Sequence, residues 1–292
     1  MRRHGIECHF YADDSQLYIA FRPRDVTSRD EAVARVEACV ADIRIWMRSN
    51  YLKLNDDKTE LLILGTSPRT VTNLSIIIGD DRIEVGEKPP RNLGVFFDCS
   101  LTMDFHIRKI AKSNNGTLYK IGKVRKYMDK KICETLINGL VTSRFDYCNS
   151  LLYGTAKKSL NVFQLQQNRA ARIITHTGKF EHITHVRKEL HWLPIKQRID
   201  FKILLFTYKA LNGLAPRYLS DLIKRHVPRR SLRSASKFLL DVPATELKTF
   251  GDRAFSHAAP ILWNSLPDEI KNAESVFQFK NMVKTHLFKQ AY

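Results

Sequence analysis

Two adjacent carboxylates near the start of the chain are best placed, by residue type and spacing, to do chemistry. They are Asp13 and Asp14, in the segment Tyr11-Ala12-Asp13-Asp14. Phosphoryl transfer assisted by Mg²⁺ needs carboxylate oxygens held close together, with water or phosphate oxygens completing an octahedron. In a two-metal site the ions lie about 3.5–4 Å apart and stabilise the attacking and leaving oxygens. The small Ala12 leaves room for a substrate beside the pair.

The same residues are also compatible with an ordinary solvated turn, because Asp-Asp-Ser is common turn chemistry. Taken alone, so short a motif favours the turn over the metal site. β-prone residues lie on both sides of it, at 6–12 and 16–21. The pattern therefore predicts a strand, a turn at Asp13-Asp14-Ser15 and a second strand.

A helix is predicted next, followed by short strands. Ser28 and Glu31 have the spacing of a capping box, and an apolar stripe follows at helical intervals. The stripe consists of Val33, Val36, Val40, Ile43 and Met47. Trp46 borders it and is predicted to pack in the core, and Asn55 is predicted to cap a turn. Strands are predicted at 61–64, 74–78, 83–85 and 92–97, with Gly79-Asp80-Asp81 as a hairpin turn.

Beyond residue 101 helical periodicity dominates. Helices are predicted at about 103–127, 130–152, 159–175, 196–212 and 217–226, and Pro194 and Gly213 match the start and stop chemistry of the fourth. The predicted fold is therefore α+β. A small antiparallel sheet with a helix (1–100) precedes a mainly helical region (101–226). The pattern leaves the organisation of the C-terminal extension (227–292) open.

Charge is distributed very unevenly along the chain, whose formal net charge is +18. Residues 1–100 hold 14 Lys and Arg against 16 Asp and Glu, whereas residues 101–292 hold 34 against 14. A strongly basic region predicts contact with a polyanion, most simply nucleic acid. The alternative is a helical protein with a Lys-rich surface, and charge alone does not distinguish DNA, RNA and an anionic membrane.

Cysteine usage and hydropathy restrict the class of protein further. The five cysteines are scattered and never form a C-x-x-C pair, which favours a reducing compartment over disulfides or a cysteine zinc site. His176, His182, His185 and His191 fit no familiar zinc spacing. No apolar run approaches the ~20 residues of a membrane-spanning helix, and no secretory signal is visible. We expect a nuclear or cytoplasmic protein without a membrane partner.

Several motifs, in consistent order, resemble the reverse transcriptases of LINE-type (non-LTR) retrotransposons, especially the jockey and chicken-repeat branch. Residues 9–18 resemble the metal-binding hairpin of the polymerase palm, residues 46–60 the next palm motif, and residues 93–101 the motif that grips the primer. Four stretches resemble the family's thumb and C-terminal section: 144–149, 166–174, 190–194 and 208–216.

The resemblance implies a role for particular residues. Asp13 would be the principal Mg²⁺ ligand, with Asp14 beside it. Tyr11 and Ala12 would lie near the incoming nucleotide and the primer end. Lys58 resembles the palm lysine that protonates departing pyrophosphate, although a lysine after Asn-Asp-Asp is also typical of a solvated turn. Leu93 and Gly94 belong to the primer-gripping motif, so the implied partners are an RNA template and a DNA primer.

The chain also departs from the family pattern. A complete enzyme has an earlier strand that supplies another metal-binding aspartate, and fingers that hold template and nucleotide, whereas only ten residues precede Tyr11. We therefore expect weak Mg²⁺ binding and no polymerisation by this chain alone. We also expect an exposed apolar strand edge and low stability in the first hundred residues.

The basic helical region suggests a second function. Aromatic residues accompany positive ones at Tyr119, Lys120, Lys123, Arg125, Lys126 and Tyr127. Such faces suit sequence-independent contact with a phosphate backbone and occasional base stacking. The alternative to a polymerase is therefore a non-catalytic nucleic-acid-binding protein, and a third possibility is that the helices serve a protein partner. The sequence does not indicate an oligomeric state.

Overall fold

The computed structural model describes residues 2–65, 74–79, 81–227 and 238–292. The chain is 56% helical, and its strands form small antiparallel two-stranded sheets, none of which closes within the described residues. The α+β class predicted from the sequence is confirmed at this level. The chain divides into two compact units, Met1–Thr102 and Met103–Tyr292. None of the helices in the described ranges is long and apolar enough to span a membrane.

The first unit opens with a tight antiparallel hairpin. Strands β1 (Glu7–Tyr11) and β2 (Asp14–Tyr18) pair in a register that places Tyr11 opposite Asp14. The turn is therefore Ala12-Asp13, one residue earlier than the predicted turn, and Asp14 already belongs to β2. Ala12 has a φ of 54°, a left-handed conformation that is uncommon for a residue with a Cβ.

Helix α1 (Val26–Ser49) follows the hairpin, and its cap differs from the prediction. The side chain of Asp25 accepts a hydrogen bond from the backbone N–H of Ser28 at 3.1 Å, so Asp25 is the N-cap. The Ser28–Glu31 capping box was wrong because the helix begins earlier, at Val26, so that Ser28 already lies in its first turn. Trp46 was also wrong as a core residue, since it is 61% exposed.

A second hairpin packs on α1 and forms the small core of this unit. Strands β3 (Ser75–Ile78) and β4 (Asp81–Glu84) are antiparallel, with Gly79 at a φ of 67°. Ile76 and Ile78 pack against Val40 of α1. The predicted strand at 61–64 is reduced to one bridge between Leu61 and Val85. Asp80, part of the predicted turn, lies outside the described residues.

The predicted strand at 92–97 is in fact a third hairpin. Strands β5 (Arg91–Asn92) and β6 (Val95–Phe96) pair across the turn Leu93-Gly94. Leu93 has a φ of 45° and Gly94 a φ of 85°. Two consecutive positive φ angles are typical of a type I′ turn, whose twist matches that of paired strands. The apolar run concealed the turn because leucine rarely occupies its first central position.

The second unit is helical. Its longer helices are α2 (Asp104–Val124), α3 (Lys130–Ile137), α5 (Lys157–Thr175), α7 (Ile195–Leu211), α9 (Phe255–Asn264) and α11 (Val276–Ala291). Its short helices are α4 (Ser143–Asp146), α6 (Thr184–Glu189), α8 (Arg217–Ser220) and α10 (Asp268–Lys271). The helix predicted at 130–152 is broken, because a π-helical turn spans Asn138–Thr142 and Cys148 has a φ of 50°. The helix predicted at 217–226 is reduced to α8.

Residues 238–292, which the sequence left open, pack against α7. Tyr208 of α7 stacks on Phe279 of α11 with ring centroids 4.2 Å apart, and its hydroxyl donates to the carbonyl of Ala273 at 2.7 Å. Trp263 of α9 also stacks with Phe279, with ring centroids 6.0 Å apart. Because an aromatic core joins α7, α9 and α11, these residues are an integral part of the second unit.

Candidate functional site

The two candidate metal-binding carboxylates lie at the tip of the β1–β2 hairpin. Asp13 occupies the turn and Asp14 the first position of β2, and both are exposed. Within the part of the chain that the structure describes, neither carboxylate takes part in a hydrogen bond or an ion pair. Phe10 and Tyr11 beside them are 51% and 62% exposed. The acids are therefore open to a cation, but little protein surrounds them.

One hydrogen bond ties this hairpin to the turn that carries Leu93 and Gly94. The Nε2 of Gln16 in β2 donates to the Oδ1 of Asn92 in β5 at 3.0 Å. Asn92 immediately precedes the Leu93-Gly94 turn. Side chains of β2 and β5 thereby set the position of one predicted nucleic-acid-binding turn relative to the hairpin of Asp13 and Asp14.

Lys58 is positioned by a different anchor. It ends a short 3-10 helix, Asp56–Lys58, whose first residue pairs with Arg44 of α1 at 3.0 Å. The same guanidinium donates to the carbonyl of Ile78 at 3.1 Å. Asn55 occupies the N-cap position, as predicted, but its side chain makes no capping hydrogen bond. The Lys58 side chain is exposed and forms no ion pair with either hairpin carboxylate.

A wide cleft of about 2530 Å³ runs through the first unit and is lined by five of the seven site residues predicted there, all except Tyr11 and Gly94. Ala12, Asp13, Asp14, Lys58 and Leu93 all line it. Small-molecule sites have volumes of roughly 300–1,000 Å³, so this cleft is too wide to hold one small ligand by itself. The structure brings these residues to one concave surface without placing them in contact.

The two hairpin carboxylates match a divalent ion in ligand type but not in number. Two unpaired carboxylates are the hard oxygen ligands that Mg²⁺ prefers. In residues 2–65, 74–79, 81–227 and 238–292, however, no group of three or more His, Cys, Asp or Glu side chains lies close enough to hold a metal ion. The hairpin fits Mg²⁺ in the type of its ligands and provides two of them.

The basic residues predicted to bind nucleic acid lie on the solvent side of α2 and its extension. Lys120, Lys123 and Lys126 are exposed, as are the rings of Tyr119 (56%) and Tyr127 (77%). The Nζ of Lys123 lies 4.7 Å from the centre of the Tyr119 ring, and that of Lys126 lies 4.8 Å from the centre of the Tyr127 ring. Such distances are typical of cation–π contacts.

Arg125 does not belong to this exposed set, and its prediction as a nucleic-acid ligand is corrected. Arg125 is only 8% exposed. Its guanidinium donates to the carbonyls of Ile173 at 2.9 Å, Ile174 at 2.8 Å and Met128. The first two carbonyls end helix α5 and would otherwise lack partners. Arg125 therefore fastens α2 to α5, and its donors are not available to a phosphate.

Sequence reasoning missed Arg169 of α5. It lies with Tyr119, Gly122 and Lys123 around a shallow groove of about 240 Å³ between α2 and α5. Helix α5 contains four Lys and Arg and no acid, which was a visible signal. The pairing of α2 with α5, whose hydrogen-bonded residues are 55 positions apart, was not visible in any local pattern.

An unusual carboxylate is buried elsewhere in the second unit. Asp200 of α7 is 4% exposed, and its Oδ2 accepts from the Nζ of Lys196 at 3.1 Å. Its Oδ1 is buried without a hydrogen-bond partner. Burial raises the pKa of this carboxyl above its ordinary value, and Lys196 only partly opposes the rise. Burial and the nearby charge of Asp200 also raise the pKa of Tyr153.

Comparison with known proteins gave no relative at any of three levels. A scan against protein-family models, a search of curated proteins and a search of solved structures each returned no match.

Proposed function

We propose that this chain is part of an RNA-directed DNA polymerase similar to those of LINE-type retrotransposons. In this proposal hairpin β1–β2 carries palm carboxylates, and the helical unit is a thumb and C-terminal region. The observation that carries the proposal is the pair Asp13 and Asp14, exposed and unpaired at a tight hairpin tip among the described residues. Adjacent acids that take part in no structural ion pair are available for a divalent cation.

Each candidate residue has a defined task in this proposal. Asp13 and Asp14 would hold Mg²⁺, which when bound neutralises charge on phosphate oxygens. Lys58, exposed on the same cleft, would offer a cation to a leaving pyrophosphate. Leu93 and Gly94 form a positive-φ turn that brings backbone close to a bound strand, and the bond from Gln16 to Asn92 keeps that turn near the hairpin.

We further propose that the chain does not extend a primer on its own. Two acids at an open hairpin tip leave most of an octahedral ion to water, so Mg²⁺ is bound weakly and a triphosphate is not positioned. A primer-extension assay with an RNA template, a DNA primer and either Mg²⁺ or Mn²⁺ tests this. We expect no product from the full chain. Extension that Asp13→Ala abolishes and Asp57→Ala leaves intact would show an active polymerase.

The second candidate function is nucleic-acid binding without catalysis by the helical unit. It is favoured by a specific observation. Helices α2 and α5 together carry nine Lys and Arg against a single acid, Asp104. A gel shift or anisotropy titration at graded salt tests this function, because binding by phosphate contacts weakens steeply as salt rises. Salt-insensitive binding, or none at low salt, would contradict it.

A further inference from the structure

We infer that the groove between α2 and α5 binds single-stranded nucleic acid by stacking a base on Tyr119. This inference rests on the proposed nucleic-acid-binding function and adds the strand class and the contact site. The groove is lined by Leu118, Tyr119, Gly122 and Lys123 of α2 and by Arg169 and Ile173 of α5.

The groove exists because a glycine occupies the last turn of α2. A Cβ added at Gly122 would lie 3.9 Å from the Cδ1 of Ile173, so the missing side chain leaves a depression between the helices. Its volume of about 240 Å³ is slightly below that of sites for drug-sized ligands, which begin at roughly 300 Å³. The depression suits a single flat group better than a whole duplex groove.

The floor and sides of the groove are held firmly. Arg125 fastens the end of α2 to the carbonyls of Ile173 and Ile174, and Gln166 of α5 donates to the carbonyl of Ala111 at 2.6 Å. Buried Leu118 and Ile174 lie between the helices. The surface is therefore formed in advance of binding, which reduces the ordering that a ligand must impose.

Charge complementarity identifies the occupant as a polyanion. Lys123 of α2 and Arg169 of α5 line the groove and are exposed, and Lys120 of α2 and Lys126 just beyond the end of α2 are exposed as well. The acid of these two helices, Asp104, lies at the start of α2 and bonds to Ser159 of α5. The groove side thus offers several cations and no acid from either helix, as a sugar–phosphate backbone requires.

The aromatic rings favour a single strand over a duplex. Tyr119 is 56% exposed with the Lys123 ammonium over one face of its ring, so the proposed stacking uses the other face and a phosphate contact lies within one helical turn. In a duplex the bases stack on each other, whereas unpaired bases stack on aromatic side chains without regard to sequence. Stacking on Tyr119 therefore increases the binding affinity most for a strand whose bases are unpaired.

Fluorescence anisotropy of the full chain with labelled 20-nucleotide DNA or RNA, single-stranded and duplex, tests the inference. We expect tighter binding to the single strands, with a slope of log affinity against log salt near −3 if about four phosphates are contacted. Tyr119→Ala should weaken single-strand binding roughly tenfold and duplex binding less than twofold, and Tyr119→Phe should retain it. Phe277→Ala, which removes a 76% exposed ring from α11, is the matched control.

The possible outcomes separate the inference from the function on which it rests. Binding that Tyr119→Ala leaves unchanged, or weakens equally for single strand and duplex, would overturn the stacking site while nucleic-acid binding stands. Tighter binding to duplex would do the same. No binding of any strand at low salt would overturn the proposed nucleic-acid-binding function itself. Because Tyr119 is exposed, circular dichroism should show that every variant is folded.

Discussion

The two units of this molecule differ in how much core supports their surface residues. Of the described residues, seven hydrophobic side chains are buried in the first unit and 35 in the second. The described part of the first unit buries no aromatic ring, whereas α7, α9 and α11 stack three of them. Few buried side chains therefore stabilise the unit that carries the hairpin acids, whereas many stabilise the unit that carries the basic groove.

Hydrogen exchange should give the largest contrast between the units. We expect amides of β1 and β2 to exchange orders of magnitude faster than those in the middle of α7, because a two-stranded ribbon with exposed faces opens easily. Native-state exchange followed by mass spectrometry measures this. Slow exchange throughout residues 8–21 would contradict the comparison.

A matched pair of phenylalanine deletions sharpens the same contrast. Phe279→Ala should cost about 3–5 kcal/mol of unfolding free energy, because the ring is 1% exposed and stacks with two other rings. Phe10→Ala should cost less than about 1 kcal/mol, since that ring is 51% exposed. Urea denaturation of each variant provides the measurement. Equal losses would mean that the first unit has a core comparable to that of the second.

Variants of Arg125 and Lys123 distinguish a stabilising residue from a nucleic-acid-binding residue within the second unit. Arg125→Met should lower the unfolding free energy by about 2–3 kcal/mol, because buried carbonyls of α5 lose charged donors. Lys123→Gln should leave stability nearly unchanged and weaken nucleic-acid binding, with Lys280→Gln on α11 as the charge-matched control. An Arg125 variant of normal stability would contradict the assignment.

The buried carboxylate predicts a smaller, pH-dependent effect. Because the folded-state pKa of Asp200 is raised, folding favours the protonated acid, and stability falls as pH rises from the unfolded pKa through the folded one. Asp200→Asn should therefore be more stable than the native chain at neutral pH, and the difference should narrow as pH falls toward 4. Thermal melts across pH measure this. A variant that is less stable at neutral pH would show that the pair with Lys196 dominates.

The smallest expected effect comes from the glycine of the groove. Gly122→Ala should stabilise the chain by about 0.5–1 kcal/mol, because alanine suits a helix better and its Cβ would make only an ordinary contact. Gly94→Ala in the first unit should instead destabilise, since its φ of 85° disfavours a Cβ. Thermal melts of both variants test whether a Cβ is tolerated at position 122 and disfavoured at position 94.

Long periodic helices could be predicted from the sequence, and so could the β1–β2 and β3–β4 hairpins, whereas turns without a local sequence signal could not. The apolar spacing of α1, α2, α5 and α7 predicted each helix to within a few residues, because apolar residues recur every three or four positions on the buried face of a helix. The turn at Leu93-Gly94 was missed because its first residue is apolar. The break at Cys148 was missed because no glycine or proline marks it.

The candidate site was predictable only as far as its chemistry is local. Asp13 and Asp14 are adjacent in sequence, so their proximity needed no fold. The burial of Arg125 and the arrival of Arg169 beside Lys123 depend on the packing of α5 against α2, which local periodicity does not specify. Trp46 borders the apolar stripe of α1 in the sequence pattern, but its side chain is exposed to solvent.

Photo-crosslinking of a labelled single strand to the full chain, followed by peptide mapping, tests the central claim most directly. The claim is that this chain alone holds a single strand mainly through the well-supported basic face, because the two acids at the open hairpin tip bind Mg²⁺ only weakly. We expect crosslinks at Tyr119 and Tyr127, in residues 104–127. Crosslinks concentrated at Tyr11 and Tyr18 of the β1–β2 hairpin would contradict it.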